Sequence, residues 1–466
     1  MNRLFIKNAD FIITMNDDQE ILKNENILIE GNKIKEISGA IIPGPDDEVI
    51  DATGSVVMPG MVNTHHHLYQ SMNRNVPRVA NFELFDWLSS LYEIWRELDP
   101  EWVRISTLVG LGELLLTGCT LSSDMFYVFP RSAPSDLFDY EVEAAKEIGI
   151  RFHPCRGSMS RGKSQGGLPP DDVVQTEEEI FSDYERVIKK YHDPSPFSMC
   201  RIALGPCSPF SVTTALMKET VRFARKHGVL SHTHLAETKD EEEYCLKIYN
   251  KRPLHFMRDL EWEGEDVWFA HCIHLDDEEI NLMGETRSGV AHCPVSNMRL
   301  GSGIAPVPEL LKAGAKISLG VDGSASNDSG DMWGEARNCL LVHRLKGGAK
   351  AITAEQVLRI ATRGGAEVLG WDEIGMIERG KAADLVIINL QKIGFAGGLF
   401  EPVGALLLTG DSHVVDYTIV NGKVVVRRGK LVNVNEEELV EQAKTLSFKK
   451  LKEAGKRTGI DFFHKG

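Results

Sequence analysis

The sequence predicts an α/β protein, a (β/α)8 TIM barrel carrying a small β-sandwich domain formed from both chain ends. Three observations predict it. Both ends of the 466-residue chain are rich in strand-like runs. The middle alternates short apolar runs with helical segments, eight times over. Eight of the 15 histidines fall where those apolar runs end.

The sandwich is expected from residues 1–58 plus 375–434, the barrel from 59–374, and a helical tail from 435–466. At the N-terminal end, Arg3 to Ile13 and Ile27 to Ile37 are β-rich, and Gly31-Asn32 is a hairpin signal. The same texture returns in Asp384 to Asn389 and in Val414 to Val426, around Asn421-Gly422. The barrel runs are Val56 to His67, Cys119 to Met125, Arg151 to Arg156, Arg201 to Cys207, Val229 to Glu237, Val267 to His274, Gly289 to Ser296 and Lys316 to Ser324. Helical patterns separate most of them, clearest over Glu101 to Leu116, Tyr140 to Ile148, Thr176 to Tyr191 and Thr214 to His227. An open doubly wound sheet fits less well, because no glycine-rich phosphate fingerprint follows the first run. The segment Asn435 to Lys452 reads as an amphipathic helix packed on the barrel or on a partner subunit.

Composition narrows the class. Hydrophobic residues are 42% and charged residues 26%, as in ordinary globular proteins. The net charge of −16 disfavours a nucleic-acid backbone as partner. No stretch approaches the roughly 20 apolar residues that span a bilayer. Met1 to Asp18 lacks a basic start followed by an apolar run, so a secretory signal is not expected and a cytoplasmic location is. The eight scattered cysteines contain no C-x-x-C pair and read as free thiols.

In such a barrel, reactive residues sit at the C-terminal ends of the strands. The first run ends in His65-His66-His67, the fifth in His232-Thr233-His234 and then Glu237, the sixth in His271 and His274, the seventh carries His292, and the eighth ends at Asp322. Residues i and i+2 share a face of a strand, so His65 and His67 point together while His66 turns away. His234 lies nearer the rim than His232, which is placed to support it. Three imidazoles and a carboxylate suit a borderline divalent ion such as zinc, giving His65, His67, His234 and Asp322 as the ligand set. An ion held there acidifies water. Glu237 and Asp322 are then the proton-handling carboxylates, and His271 hydrogen-bonds the water and stabilises developing charge. His274 and His292 serve either the site or the fold.

Pro59 to His67, His234 to Glu237, Ala270-His271-Cys272, Gly320 to Gly323 and Gly375 to Leu385 together resemble the signatures of the amidohydrolase superfamily. The resemblance runs from Asn8 to about Arg428. It is to the single-metal branch of cytosine, guanine and S-adenosylhomocysteine deaminases and triazine hydrolases. The two-metal branch carries a lysine at the end of strand four, and Arg201 to Cys207 contains none. The resemblance implies one zinc ion, with iron(II) the other suitable metal, and hydrolytic deamination of a nitrogen heterocycle. In that scheme water attacks the amino-bearing carbon, Glu237 protonates the ring nitrogen, and ammonia leaves. It also implies a homo-oligomer.

Among branch members, the segments Thr64 to Ser71, Glu83 to Leu88, Gly167 to Asp171, Cys207 to Val212, Ser296 to Leu300 and Asp322 to Asp328 most resemble the bacterial 8-oxoguanine deaminases. Arg201 to Cys207 is similar to triazine hydrolases, so a chlorohydrolase or N-dealkylating hydrolase is the alternative on the same metal site. A non-catalytic scaffold is the remote one, and the intact ligand set disfavours it. Gln70, Trp87, Arg156 and Cys207, with Ser208 beside it, are the candidate substrate contacts. H-x-E with P-C-x-x-C and H-E-x-x-H are absent, which excludes cytidine-deaminase and zincin chemistry.

Overall fold

The structure, a computed structural model, describes residues 3–409 and 414–465. The outermost parts of the expected end segments, residues 1–2 and 466, and residues 410–413 lie outside the described residues.

Eight parallel strands close into a barrel. They are β1 (Met61–Asn63), β2 (Cys119–Phe126), β3 (Arg151–Ser158), β4 (Ala203–Pro206), β5 (Leu230–Leu235), β6 (Val267–His271), β7 (Gly289–His292) and β8 (Lys316–Leu319). The barrel shuts where Leu319 pairs with Asn63. Helices cover its outside where periodicity predicts them: Pro100–Leu116, Leu137–Ile148, Glu177–Tyr191 and Thr214–His227. Thr176 and Glu179 form a reciprocal capping box at the start of the third of these, satisfying amides that a helix end leaves bare.

The chain ends form a second, nine-stranded sheet. Its order is Lys430–Leu431, Lys423–Arg427, Tyr417–Val420, Leu385–Asn389, Ser55–Pro59, Arg3–Ile13, Ile21–Glu30 and Lys33–Ile37, with Glu48–Asp51 parallel to Arg3–Ile13. It encloses its own apolar core, including Ile6, Ile12, Ile27, Ile29, Leu385, Ile387 and Ile419. The hairpin turns at Gly31, and Arg3–Ile13 bulges between Ile6 and Ala9, with Asn8 left-handed.

The first apolar run is two strands, not one. Ser55–Pro59 pairs antiparallel with Leu385–Asn389 in the sheet, and only Met61–Asn63 enters the barrel. Gly60 is the joint: a Cβ there would lie 2.1 Å from the Thr120 hydroxyl. A uniformly apolar run carries no mark of the switch, because both halves are fully buried.

The last helix, Glu436–Thr458, is capped by Asn435 and carries acids in its first turn and bases in its last, which suits the helix dipole. It packs on the barrel side: Lys450 reaches Asp99 at 2.6 Å and Arg457 reaches Glu97 at 2.7 Å. Among the described residues, no helix is long and apolar enough to cross a membrane.

Barrel and sheet are tied by a buried ion pair. Arg151, at the start of β3, donates two hydrogen bonds of 2.9 Å to the Asp384 carboxylate, just before Leu385–Asn389. Asp384 also accepts the Asn421 amide at 2.8 Å. Both charges are sequestered from water, so removing one strands the other. Asp384→Ala is therefore expected to cost about 3–5 kcal/mol, measured by denaturant unfolding.

Candidate active site

The C-terminal mouth of the barrel gathers the rim residues. His67 Nε2 lies 3.1 Å from His234 Nε2. Asp322 Oδ1 lies 3.4 Å from both His65 Nε2 and His67 Nε2. His65, His67 and Asp322 are buried and His234 is partly exposed, and His65 Nε2 has no hydrogen-bond partner.

The other ring nitrogens explain the convergence. His67 Nδ1 donates to the Met125 carbonyl at 2.9 Å, and His234 Nδ1 to the Cys207 carbonyl at 2.6 Å. A carbonyl can only accept, so each ring keeps a bare Nε2. His65 receives the same instruction through a relay. His232 Nδ1 donates to the Trp268 carbonyl at 2.9 Å, leaving His232 Nε2 to accept from His65 Nδ1 at 2.8 Å. Burial holds the pKa values of His65, His67, His232 and His234 below the ordinary histidine value, so the rings are neutral. Three bare nitrogens beside one carboxylate are donors of the kind that could hold a divalent ion.

Asp322 sits three residues past β8 with a left-handed backbone, φ 63°. Its Oδ2 accepts Ser296 Oγ at 2.6 Å and Ser326 Oγ at 3.2 Å, and its Oδ1 accepts the Gly323 amide at 2.7 Å. Burial opposes its charge, but the imidazoles of His65, His271 and His67 beside it outweigh that and keep its pKa well below the usual carboxylate range. Glu237 lies across the site, with Oε2 3.6 Å from His271 Nε2. Burial pushes Glu237 up to about 7 despite His271. Asn297 accepts from His271 Nδ1 at 2.9 Å, so His271 presents Nε2 to Glu237 and to Asp322, the latter 4.0 Å away.

A pocket opens over this cluster. His67, His234, Glu237, His271 and Asp322 share its wall with Gln70, Trp87, Cys207 and Ser208. Gln70 Oε1 and Trp87 Nε1 are buried without protein partners, an acceptor and a donor left for a ligand. Gln70 takes this position because residue 323 is glycine: a Cβ there would fall 1.9 Å from Gln70 Oε1. Burial pushes the Cys207 thiol up to about 12, so it faces the pocket as a neutral group.

Arg156 is not brought here. β3 continues to Ser158, and residue 156 faces outward, donating to Asp183 and to Gln175 at 2.9 Å and lying over the Phe129 ring. A role in polarising a substrate carbonyl does not match that placement. His274 bonds the Ser302 carbonyl at 3.0 Å and His292 faces His343, and neither lines the pocket.

Sequence reasoning missed the supports. Glu241 accepts both the Ala236 and Glu237 amides, holding the turn after β5. Ser296 and Asn297 arrive on the short helix Pro294–Arg299. Asp124 Oδ1 accepts the Leu68 amide, fixing the chain just after His67, and Asp124 pairs with Glu141. Glu241 follows Glu237 by one helical turn, the one such signal visible beforehand. Tyr127, also in the pocket wall, gave none, and Phe210 there was marked only by lying within Cys207 to Val212.

With this geometry in place, comparison with known proteins is informative. Residues 56–425 match the amidohydrolase family. The chain is 45% identical to 8-oxoguanine deaminase of Pseudomonas aeruginosa over 410 residues, covering 88% of this chain and 90% of that one. It is 33% identical to hydroxydechloroatrazine ethylaminohydrolase of Pseudomonas sp. strain ADP, covering 85% and 83%. Among solved structures, atrazine chlorohydrolase of Arthrobacter aurescens TC1 complexed with zinc superposes with a TM-score of 0.91 at 32% identity, covering 95% of this chain and 100% of that one. The fold and rim define a barrel enzyme built around a divalent metal. The chain belongs to the amidohydrolase family.

Two outcomes follow from these contacts. Breaking the relay with His232→Phe frees His65 to rotate and is expected to weaken metal retention about 10–100-fold, read by chelator competition. The Asp124–Glu141 pair is buried, and neither Asp124 Oδ2 nor either Glu141 oxygen has another donor in reach. Burial, and for Glu141 the neighbouring Asp124, holds both above the usual carboxylate range. Stability from the pair is thus full below a pKa of about 4 and is lost as pH rises through the folded-state values. In Glu141→Gln that loss is relieved, so its Tm relative to wild type should climb between about pH 5 and pH 8, measured by thermal scans.

Proposed function

We propose that this chain is a metal-dependent hydrolytic deaminase of a purine-like heterocycle, with 8-oxoguanine the foremost substrate. The observation that carries the reading is the arrangement of Glu237, His271 and Asp322 around one pocket, with Gln70 and Trp87 offering unpaired polar atoms on the same wall. The 45% identity to an 8-oxoguanine deaminase supports that substrate. We assign the ligand role to His65, His67, His234 and Asp322. Zinc is the ion we favour, since it is present in the similar atrazine chlorohydrolase; iron(II) suits the same donors.

When bound, the ion supplies Lewis-acid activation of water at neutral pH. The chain does the rest. Asp322 takes the water's proton as oxygen bonds to the amino-bearing carbon. Glu237, held protonated near neutrality by burial, delivers a proton to the ring nitrogen, so negative charge does not build on the ring. His271 hydrogen-bonds the attacking oxygen. The carbon–nitrogen bond then breaks as the amine takes up the proton held by Asp322, the new hydroxyl returns its proton to Glu237 as it becomes a carbonyl, and ammonia leaves. Gln70 and Trp87 orient the ring edge, and Cys207 packs beside it. We place the protein in the cytoplasm, where its free and mostly buried cysteines persist as thiols.

Triazine hydrolysis is the second reading, favoured by the structural likeness to atrazine chlorohydrolase. Zinc-loaded protein offered 8-oxoguanine, guanine, isocytosine, cytosine, S-adenosylhomocysteine and an amino-triazine separates the two. Ammonia from 8-oxoguanine, falling about 10²–10⁴-fold in Glu237→Gln and lost on metal chelation, is the expected result. Chloride or alkylamine from a triazine, with no ammonia from any purine, would overturn the substrate.

A further inference from the structure

A second cluster of metal-type donors lies behind the active site, away from the pocket wall. His292 ends β7. Cys339 and His343 stand on the helix Met332–Gly347, four residues apart and so on one face. All three are buried: His292 and His343 are 1% exposed and Cys339 is 0% exposed. His292 Nε2 and His343 Nε2 face one another at 3.2 Å. One ligand atom from each of the three lies within 4.8 Å of the others.

We infer that His292, Cys339 and His343 form a second metal site, structural in role, for a borderline divalent ion such as zinc. A tetrahedral zinc with bonds of about 2.0–2.3 Å holds its ligand atoms roughly 3.3–3.7 Å apart, close to the separation of the two imidazole nitrogens. A hydrogen bond between the rings would account for that contact alone. It does not account for a thiol brought within 4.8 Å of a nitrogen on each ring by the helix face that carries His343. Two imidazoles and a thiolate are a soft-to-borderline set, unlike the histidine and carboxylate set at the barrel mouth.

Charge is balanced locally. On binding, the Cys339 thiol gives its proton to solvent and its sulfur bonds the ion. Glu335, buried one turn earlier on the helix, lies within electrostatic reach of that sulfur; burial holds its carboxyl well above the usual carboxylate range, and the cation would draw that proton off to solvent, leaving the second negative charge. The site would pin Met332–Gly347 to β7. That helix matters to the mouth of the barrel. Glu335 accepts Asn327 Nδ2 at 2.6 Å and the Val295 amide at 3.3 Å. Asn327 in turn bonds the Val321 carbonyl, next to Asp322, at 2.6 Å.

The test is metal stoichiometry on the full chain, expressed with supplementary zinc and desalted. Two zinc equivalents per chain are expected in wild type, and one in Cys339→Ser and in His343→Asn. Cobalt substitution gives a second readout, taken first on the wild-type chain. Wild type and Cys207→Ser should both show a sulfur-to-cobalt charge-transfer band in the near ultraviolet, and Cys339→Ser should lack it. One zinc equivalent in wild type with no such band would overturn the proposal. So would a second equivalent and a band that both survive Cys339→Ser.

Discussion

The imidazoles at the barrel mouth act together only because their outer nitrogens are spoken for. Met125 and Cys207 carbonyls take the Nδ1 protons of His67 and His234, and the Trp268 carbonyl sets His65 at one remove through His232. Burial keeps the rings neutral. The result is three lone pairs and one carboxylate crowded together at the barrel mouth. In the absence of a cation such a cluster is costly, since buried acceptors gain nothing from each other. On the proposed ligand role, a divalent ion offsets that cost, and the barrel is the frame that holds the acceptors in place for it.

The frame stores backbone strain at the same rim. Ala236, His271, Cys272 and Asp322 all take left-handed φ without being glycine. Each sits just past or at a strand end, where the chain must turn out of the barrel while aiming a side chain inward. Hydrogen bonds hold these turns: Glu241 takes the Ala236 amide, the His65 carbonyl takes the Asp322 amide, and the Leu235 carbonyl takes the Cys272 amide. Further down, the Arg151–Asp384 pair joins the barrel to the sheet made by the chain ends. Stability and site geometry are thus shared between segments remote in sequence.

Much of this was legible beforehand. Strand periodicity placed His65 with His67 and turned His66 away, as the structure has them, because i and i+2 share a face in extended chain. His234 was read as nearer the rim than His232, and the structure puts His232 behind His65. Arg156 was misplaced because strand parity, not nearness to the end of an apolar run, decides facing, and residue 156 falls on the outward face of a run that continues to Ser158. The division of Val56 to His67 between two sheets was invisible, because both halves are equally apolar and equally buried.

By itself, the sequence determined the eightfold alternation, the sheet drawn from both ends and the set of polar residues at strand ends. These follow from local periodicity and from turn residues such as Gly31-Asn32, which act over a few residues. Only the tertiary structure decided which ring nitrogen faces inward, that Ser296 and Asn297 steady Asp322 and His271, that Asp124 holds Leu68, and that His292 meets His343. Those contacts join residues 26 to 167 positions apart. Barrel closure creates them, and no local pattern encodes which donor will find which acceptor.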